Sequence, residues 1–204
     1  MPAKLPIQVG ITGGIGSGKS VVARIFGIQG IPVYESDIAA KELYFDPAVK
    51  SAVETLLGTS VYISPTQLDR KAIASKIYGN ASLRLQLNEI IHPAVGRHYA
   101  HWLEQHAGSA YILKVAALLF EADIYKTLDV NLLVTCPIEL KRERIRARDP
   151  QRTESEIDGI MESQWSDTKK ETLADGIIRN DEHNSLISQV MAWDSRLKAS
   201  NLAI

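Results

Sequence analysis

Apolar residues in this chain fall into short unbroken runs separated by longer stretches of helical spacing. Ile7-Gln8-Val9-Gly10-Ile11-Thr12 is apolar and β-branched, which predicts a buried strand. Val21 to Phe26 opens a helix that is predicted to reach Gln29, with Gly30 as its stop. Ile31-Pro32-Val33-Tyr34 predicts a second strand. It is followed by Glu35-Ser36-Asp37 and a helical stretch to about Leu43. Residues 110–115, 129–135 and 176–179 predict three further strands. Helices are predicted from Pro137, over 153–164 and over 184–198, with Thr153 and Glu156 spaced as a capping box. Strands alternating with helices predict an α/β protein with a mostly parallel five-stranded sheet.

Residues 46–105 break this alternation. Pro47 starts a helix, Ser64-Pro65-Thr66 is a turn, and Asp69-Arg70-Lys71 opens another helix. From Ser82 to about Gln105, Leu83, Leu87, Ile90, Ile91 and Val95 recur at helical spacing, with Pro93 expected as a kink or boundary. The block is too long for a crossover between neighbouring strands. It predicts an inserted helical subdomain over 46–107, the usual place for a second substrate. The core is then expected over 1–45, 108–140 and 174–204.

The turn after the first strand carries the chemistry. Gly13-Gly14-Ile15-Gly16-Ser17-Gly18-Lys19-Ser20 fits G-x-x-x-x-G-K-[ST], with a strand before it and a helix after it. Glycines let backbone wrap closely around phosphate oxygens, and a helix N-terminus favours an anion. The amides of Gly14, Ile15, Gly16, Ser17 and Gly18 are candidates to bind the phosphates of a nucleotide. Lys19 would reach the β- and γ-phosphates, and the Ser20 hydroxyl would sit on Mg²⁺.

Composition narrows the context. The chain has 204 residues, 45% hydrophobic and 23% charged, enough for one sizeable α/β core with insertions. A net charge of −1 provides no basic field for a nucleic acid. One cysteine, Cys136, excludes an internal disulfide and a Cys-rich metal site, and reads as a packed strand-end residue in a reducing compartment. No apolar run approaches membrane-spanning length, and the N-terminus lacks the apolar core of a signal peptide. The expectation is a cytoplasmic protein with no membrane partner, monomeric or weakly homo-oligomeric.

Three features narrow a phosphate loop towards a kinase. The GTPase pattern N-K-x-D is absent, and the chain is too small for most motor or transporter ATPases. A basic helix (Lys141, Arg142, Arg144, Arg146, Arg148) precedes an acidic one, as a lid over 141–173 would need in order to fold arginines onto a transferring phosphoryl group. Arg144 and Arg148 lie four apart on one helix face. A solvated face explains any single arginine equally well. Asp37, just past the second strand, could orient an attacking hydroxyl and accept its proton, and could also cap the following helix. Glu35 could hold water around Mg²⁺. On their own, Arg70 reads as a surface ion pair and His92 as a packing or capping residue.

The ordered set Val9 to Ser20, Asp37, Leu68-Asp69-Arg70, Ile91-His92-Pro93, Leu118-Leu119-Phe120-Glu121, Arg144 to Asp149 and Gln164 resembles the dephospho-CoA kinases over nearly the whole chain. The resemblance implies a P-loop NTPase-type three-layer fold with a helical substrate-side insert and a helical lid. It implies that ATP, with Mg²⁺, phosphorylates the ribose 3′-hydroxyl of dephospho-CoA. By position it implies Asp37 as catalytic base, Lys19 and the loop amides on the phosphates, and Arg144 on the transferring phosphate. Arg148 would join the nucleotide site, and Arg70 and His92 would lie on the acceptor side. The chain departs from the family pattern at Glu35, where the family usually has Asp, at Lys41, where it usually has Arg, and at Ala117, where it commonly has Pro. Lys114 and Ala116 are also unusual. Two other readings stand beside this one. One is a different small P-loop kinase acting on a nucleoside, nucleotide or other small alcohol. The other is a nucleotide-sensing module without turnover, which Lys19 and Asp37 together argue against.

Overall fold

The computed structural model describes residues 5–202. Residues 1–4 and 203–204 lie outside the described residues. The first four also begin the stretch expected to lack a signal-peptide core. The chain divides into two compact units, one made of residues up to Glu35 together with those from His106 onward, the other Ser36–Gln105.

The first unit is built on five strands: β1 (Ile7–Thr12), β2 (Val33–Glu35), β5 (Tyr111–Val115), β6 (Val130–Thr135) and β7 (Gly176–Arg179). They form one sheet in the order β2-β5-β1-β6-β7, and every pairing is parallel. Parallel strands buried on both faces read as continuous apolar runs, which is why these strands are visible in the sequence. On one face Val9, Ile11, Leu113, Leu132 and Val134 pack with Val22 and Phe26 of α1 (Lys19–Ile28) and Val190 and Leu197 of α9 (Leu186–Leu202). A second cluster gathers Ala116, Leu119, Phe120 and Leu133 with Trp165 and Leu173. Each large side chain so buried contributes about 1.5–3 kcal/mol.

Three more helices belong to this unit: α6 (Ile138–Arg148), α7 (Glu154–Glu162) and α8 (Asp167–Glu171). Thr153 and Glu156 form both bonds of the expected capping box. Glu156 N donates to Thr153 Oγ1 at 3.3 Å, and Thr153 N donates to Glu156 Oε2 at 2.8 Å. The short α8 has no counterpart among the elements expected from sequence. Ser166 caps it by accepting from Lys169 N at 3.2 Å.

The second unit holds α2 (Ser36–Leu43), α3 (Pro47–Leu57), β3 (Tyr62–Ser64), β4 (Gln67–Leu68), α4 (Arg70–Ile77) and α5 (Ala81–Gln105). Its core is Val49, Val53, Leu57, Val61, Ile73, Leu87, Ile91 and Ala94, with Ala40, Leu43 and Tyr44 packed against it. The unit therefore begins at Ser36 rather than near residue 46, because α2 packs its apolar side into this core. Asp46 caps α3 by accepting from Ala48 N and Val49 N, with Pro47 at the first helical position.

Two expectations are corrected here. The block is not wholly helical: β3 and β4 pair antiparallel around the Pro65-Thr66 turn. Strands of three and two residues are too short to carry a visible alternation. Pro93 neither ends nor divides its helix, since α5 runs through it for 25 residues. Proline removes one hydrogen bond, and the burial of Leu87, Ile91, Ala94 and Tyr99 on either side holds the helix together across the gap.

Candidate active site

The carboxyl ends of the parallel strands share one edge of the sheet, where ligands bind in folds of this type. β1 leaves that edge into the glycine loop, and Gly18 is the N-cap of α1 with φ 92°. The amides of Val21 and Val22 both bond back to the Gly18 carbonyl, at 3.0 and 3.2 Å. Lys19 Nζ donates to the carbonyls of Gly13 at 2.6 Å and Gly14 at 3.3 Å. Ser20 is exposed at the start of α1.

Three other segments grip this loop. Ile15 N donates to Gln164 Oε1 at 2.8 Å. Asn180, directly after β7 and buried, donates from Nδ2 to the Ser17 carbonyl at 2.8 Å. The backbone of Lys141 crosses Gly16 so closely that a Cβ there would stand 2.6 Å from the Lys141 carbonyl oxygen. The loop can therefore lie against α6 only with glycine at that position.

The basic helix α6 sends its cations in different directions. Arg142 pairs with Asp158 and Glu154, and Arg146 takes Glu154 with two bonds of 2.7 and 2.9 Å, so these two arginines knit α6 to α7. Arg148, at the end of α6, is exposed and pairs with Asp149 at 2.8 Å. Arg144 turns inward. It donates to Cys136 Sγ at 3.2 Å and to the carbonyl and Oδ1 of Asn180 at 3.3 and 3.4 Å, and it lies 3.6 Å from Glu182 Oε1. Burial pushes the Cys136 thiol pKa up against the opposing pull of the Arg144 and Lys141 charges. Cys136 is thus the packed strand-end residue expected from the sequence.

Glu121, the last residue of Leu118-Leu119-Phe120-Glu121, anchors the segment behind the loop. Its Oε1 accepts from Trp165 N at 3.0 Å and lies 3.0 Å from Nζ of Lys170, a fully buried lysine. The Lys170 contact is ionic rather than a well-directed hydrogen bond, and Glu121 Oε2 has no hydrogen-bond partner among the described residues.

A cavity of about 580 Å³ opens beside the loop, lined among others by Gly14, Ile15, Ile138, Lys141, Gln164 and Asp167. In the other unit a cavity of about 390 Å³ is lined by Lys41, Phe45, Gln67, Leu68 and Arg70, among others. It brings Arg70 and Lys41 together. Asp69 makes this possible by capping α4, accepting from Ala72 N at 2.9 Å, so that Arg70 is the first residue of the helix. His92 is exposed on α5 and does not line that cavity.

Glu35 is the last residue of β2 and is exposed. Asp37 lies two residues on, exposed in the first turn of α2. Because α2 begins at Ser36, Asp37 is inside the helix rather than its cap, and the alternation of a continuing strand does not relate it to Glu35. Sequence reasoning misses Asn180 and the Lys141–Asp167 pair. The only available signal for Asn180 is a polar residue immediately after an apolar strand, at the ligand-binding edge.

The parallel sheet with its glycine loop running from first strand to first helix places this molecule among the P-loop nucleotide-binding proteins. A family model described as dephospho-CoA kinase matches residues 7–185. A dephospho-CoA kinase of Bacteroides fragilis is 35% identical over 188 residues, covering 92% of this chain and 91% of that one. Another, from Chlorobium chlorochromatii, is 37% identical over 187 residues and covers 88% of each chain. The crystal structure of TT1252 from Thermus thermophilus superimposes with a TM-score of 0.82 at 28% identity, covering 95% of this chain and 97% of that one. Dephospho-CoA kinase from Campylobacter jejuni shares the fold, with a TM-score of 0.60 at 20% identity over 93% of this chain and 96% of its own. The chain belongs to the dephospho-CoA kinase family.

Proposed function

We propose that this protein transfers the γ-phosphoryl group of ATP to the ribose 3′-hydroxyl of dephospho-CoA, yielding coenzyme A and ADP. The observation that carries this reading is a family match running from β1 to just beyond β7 over a phosphate loop seated at the ligand edge of the sheet. The bond from the γ-phosphorus to the oxygen bridging it to the β-phosphate breaks. A bond from that phosphorus to the acceptor oxygen forms, and the hydroxyl proton passes to a carboxylate.

Asp37 is the proposed base. It is exposed and two residues past the carboxyl end of β2, where a carboxylate can face an acceptor hydroxyl. Lys19 and the amides of Gly14 to Gly18 hold the phosphates. Arg144 meets the transferring phosphate from α6, and Arg148 lies on the nucleotide side. Residues 141–173 act as the lid over the nucleotide, with Arg142 and Arg146 binding α6 and α7 to each other. The cavity lined by Arg70 and Lys41, and by Glu42 as its one carboxylate, suits an anionic part of the acceptor, with His92 on the same unit.

The donor set fits Mg²⁺. Among the described residues no group of three or more His, Cys, Asp or Glu could cage a metal, and Mg²⁺ needs few protein ligands beside substrate phosphates and water. Ser20 would hold it directly and Glu35 through water. Bound there, it would neutralise charge on the β- and γ-phosphates. No helix among the described residues is long and apolar enough to cross a membrane. The single cysteine, buried as a thiol, suits a reducing compartment and supports a cytoplasmic location.

The test is a coupled ADP-release assay with Mg²⁺ and ATP, offering dephospho-CoA beside adenosine, shikimate and nucleoside monophosphates. Stimulation by dephospho-CoA alone is expected. Stimulation by one of the others, with none by dephospho-CoA, would overturn the reading.

A further inference from the structure

Lys141 belongs by sequence to a basic surface helix, yet its side chain is only 9% exposed. It lies on the first turns of α6, whose backbone rests on Gly16. Its Nζ is 3.3 Å from the point a Cβ on Gly14 would occupy. Lys19 Nζ is bonded to the carbonyls of Gly13 and Gly14. Two ammonium groups thus lie beside Gly14 of the phosphate loop, where Lys19 brings charge for the β- and γ-phosphates.

Burying an ammonium is costly unless a charge partner and hydrogen bonds compensate it. Asp167 is that partner. Its Oδ2 is 2.5 Å from Lys141 Nζ, and its own side chain is 24% exposed. The pair borders the 580 Å³ cavity beside the loop. Arg142, which also lines that cavity, is already committed to Asp158 and Glu154. The segment carrying Asp167 is itself fixed, by Gln164 on Ile15 N and by Glu121 on Trp165 N and Lys170. Lys141 is therefore held on a rigid support with only one of its three N–H directions used by Asp167.

We infer that Lys141 contacts the terminal phosphate of the bound nucleotide, acting with Lys19 as a second ammonium on the transferred group, and that Asp167 positions it. This rests on a nucleoside triphosphate occupying the loop, but not on the identity of the acceptor. The pair would then distinguish a triphosphate from a diphosphate, since only the former carries the third phosphate that Lys141 contacts. Asp167 keeps the ammonium aimed at the loop while it is buried.

The test compares ATP and ADP affinity by calorimetric titration with Mg²⁺, without acceptor. The variant Lys141→Met/Asp167→Asn removes both charges together and so leaves no buried carboxylate unpaired. Lys141→Gln keeps a donor for Asp167 without the charge and guards against a folding defect in the double variant. ATP affinity is expected to fall about tenfold or more in both variants, the size of a lost charge-assisted bond, with ADP affinity within about twofold. Equal weakening of ATP and ADP would reveal damage to the loop itself and overturn the inference. So would unchanged affinity for both. Failure of the acceptor reading would instead show as absent turnover of dephospho-CoA by the unaltered enzyme, with the ATP–ADP difference intact.

Discussion

A Cβ on Gly18 would overlap Asn180 Nδ2. That nitrogen is engaged, donating to the Ser17 carbonyl, while the same side chain receives Arg144 on its oxygen. Gly18 also sits at φ 92°, where a side chain is strained. Gly18→Ala is therefore expected to push Asn180 away, free the Ser17 carbonyl and unseat Arg144. A stability loss of about 1–3 kcal/mol should accompany it, with weakened ATP binding. Thermal melts and ATP titration read both. A variant with wild-type melting and wild-type ATP affinity would show that the loop does not need this packing.

Asp37→Asn is expected to lower kcat by about 10² to 10⁴, with ATP affinity retained. The side chain is exposed, so the fold should survive unchanged in circular dichroism. A residue that merely stabilised the first turn of α2 would contribute about 0.3–1 kcal/mol through the helix dipole and leave turnover intact. Measuring kcat beside the melting temperature separates the two roles.

Lys170 is fully buried against Glu121, so removing one partner strands the other. Lys170→Met is expected to cost about 3–5 kcal/mol in urea denaturation. Adding Glu121→Gln should recover part of that loss, because the stranded carboxylate is neutralised. If the single and double variants are equally unstable, Lys170 acts through packing instead.

Lys114 lies in β5 between Gly10 of β1 and Tyr34 of β2, and burial lowers its pKa to about 8. The unfolded chain has an ordinary lysine near 10.4. Below about pH 8 both states carry the proton and the contribution is constant. Between about pH 8 and 10.4 the unfolded state binds more protons, so this group makes the fold more stable as pH rises. Lys114→Met should abolish that increment. Denaturation midpoints of the two proteins at about pH 7 and about pH 9.5, on either side of the folded-state titration, test it. Parallel pH dependence in both would locate the titration elsewhere.

The strands of the first unit are legible in the sequence because each is buried on both sides and therefore continuously apolar. The glycine loop is legible because its backbone demands concern adjacent residues. The capping box over Thr153 and Glu156 is local for the same reason. The β3–β4 hairpin is not legible, being too short to set up a period. Pro93 misleads because local stereochemistry favours a break, while the packing of Leu87, Ile91 and Ala94 overrides it. The arginines of α6 are legible as a group and only incompletely as individuals. Spacing along a helix says which residues share a face, but not what meets that face.

The sequence by itself determined a parallel α/β core, a loop for nucleotide phosphates, and a resemblance that the family match bears out. These rest on short-range periodicity and on motifs whose chemistry lies within a few residues. Only the tertiary structure decided that Asn180 closes on Ser17 across 163 positions, that Arg144 turns inward onto Asn180, and that Lys141 is buried against Asp167 at the mouth of the loop. Such pairings follow from where the closed chain brings distant backbone together. A buried charge then has to find its partner among whatever that closure delivers.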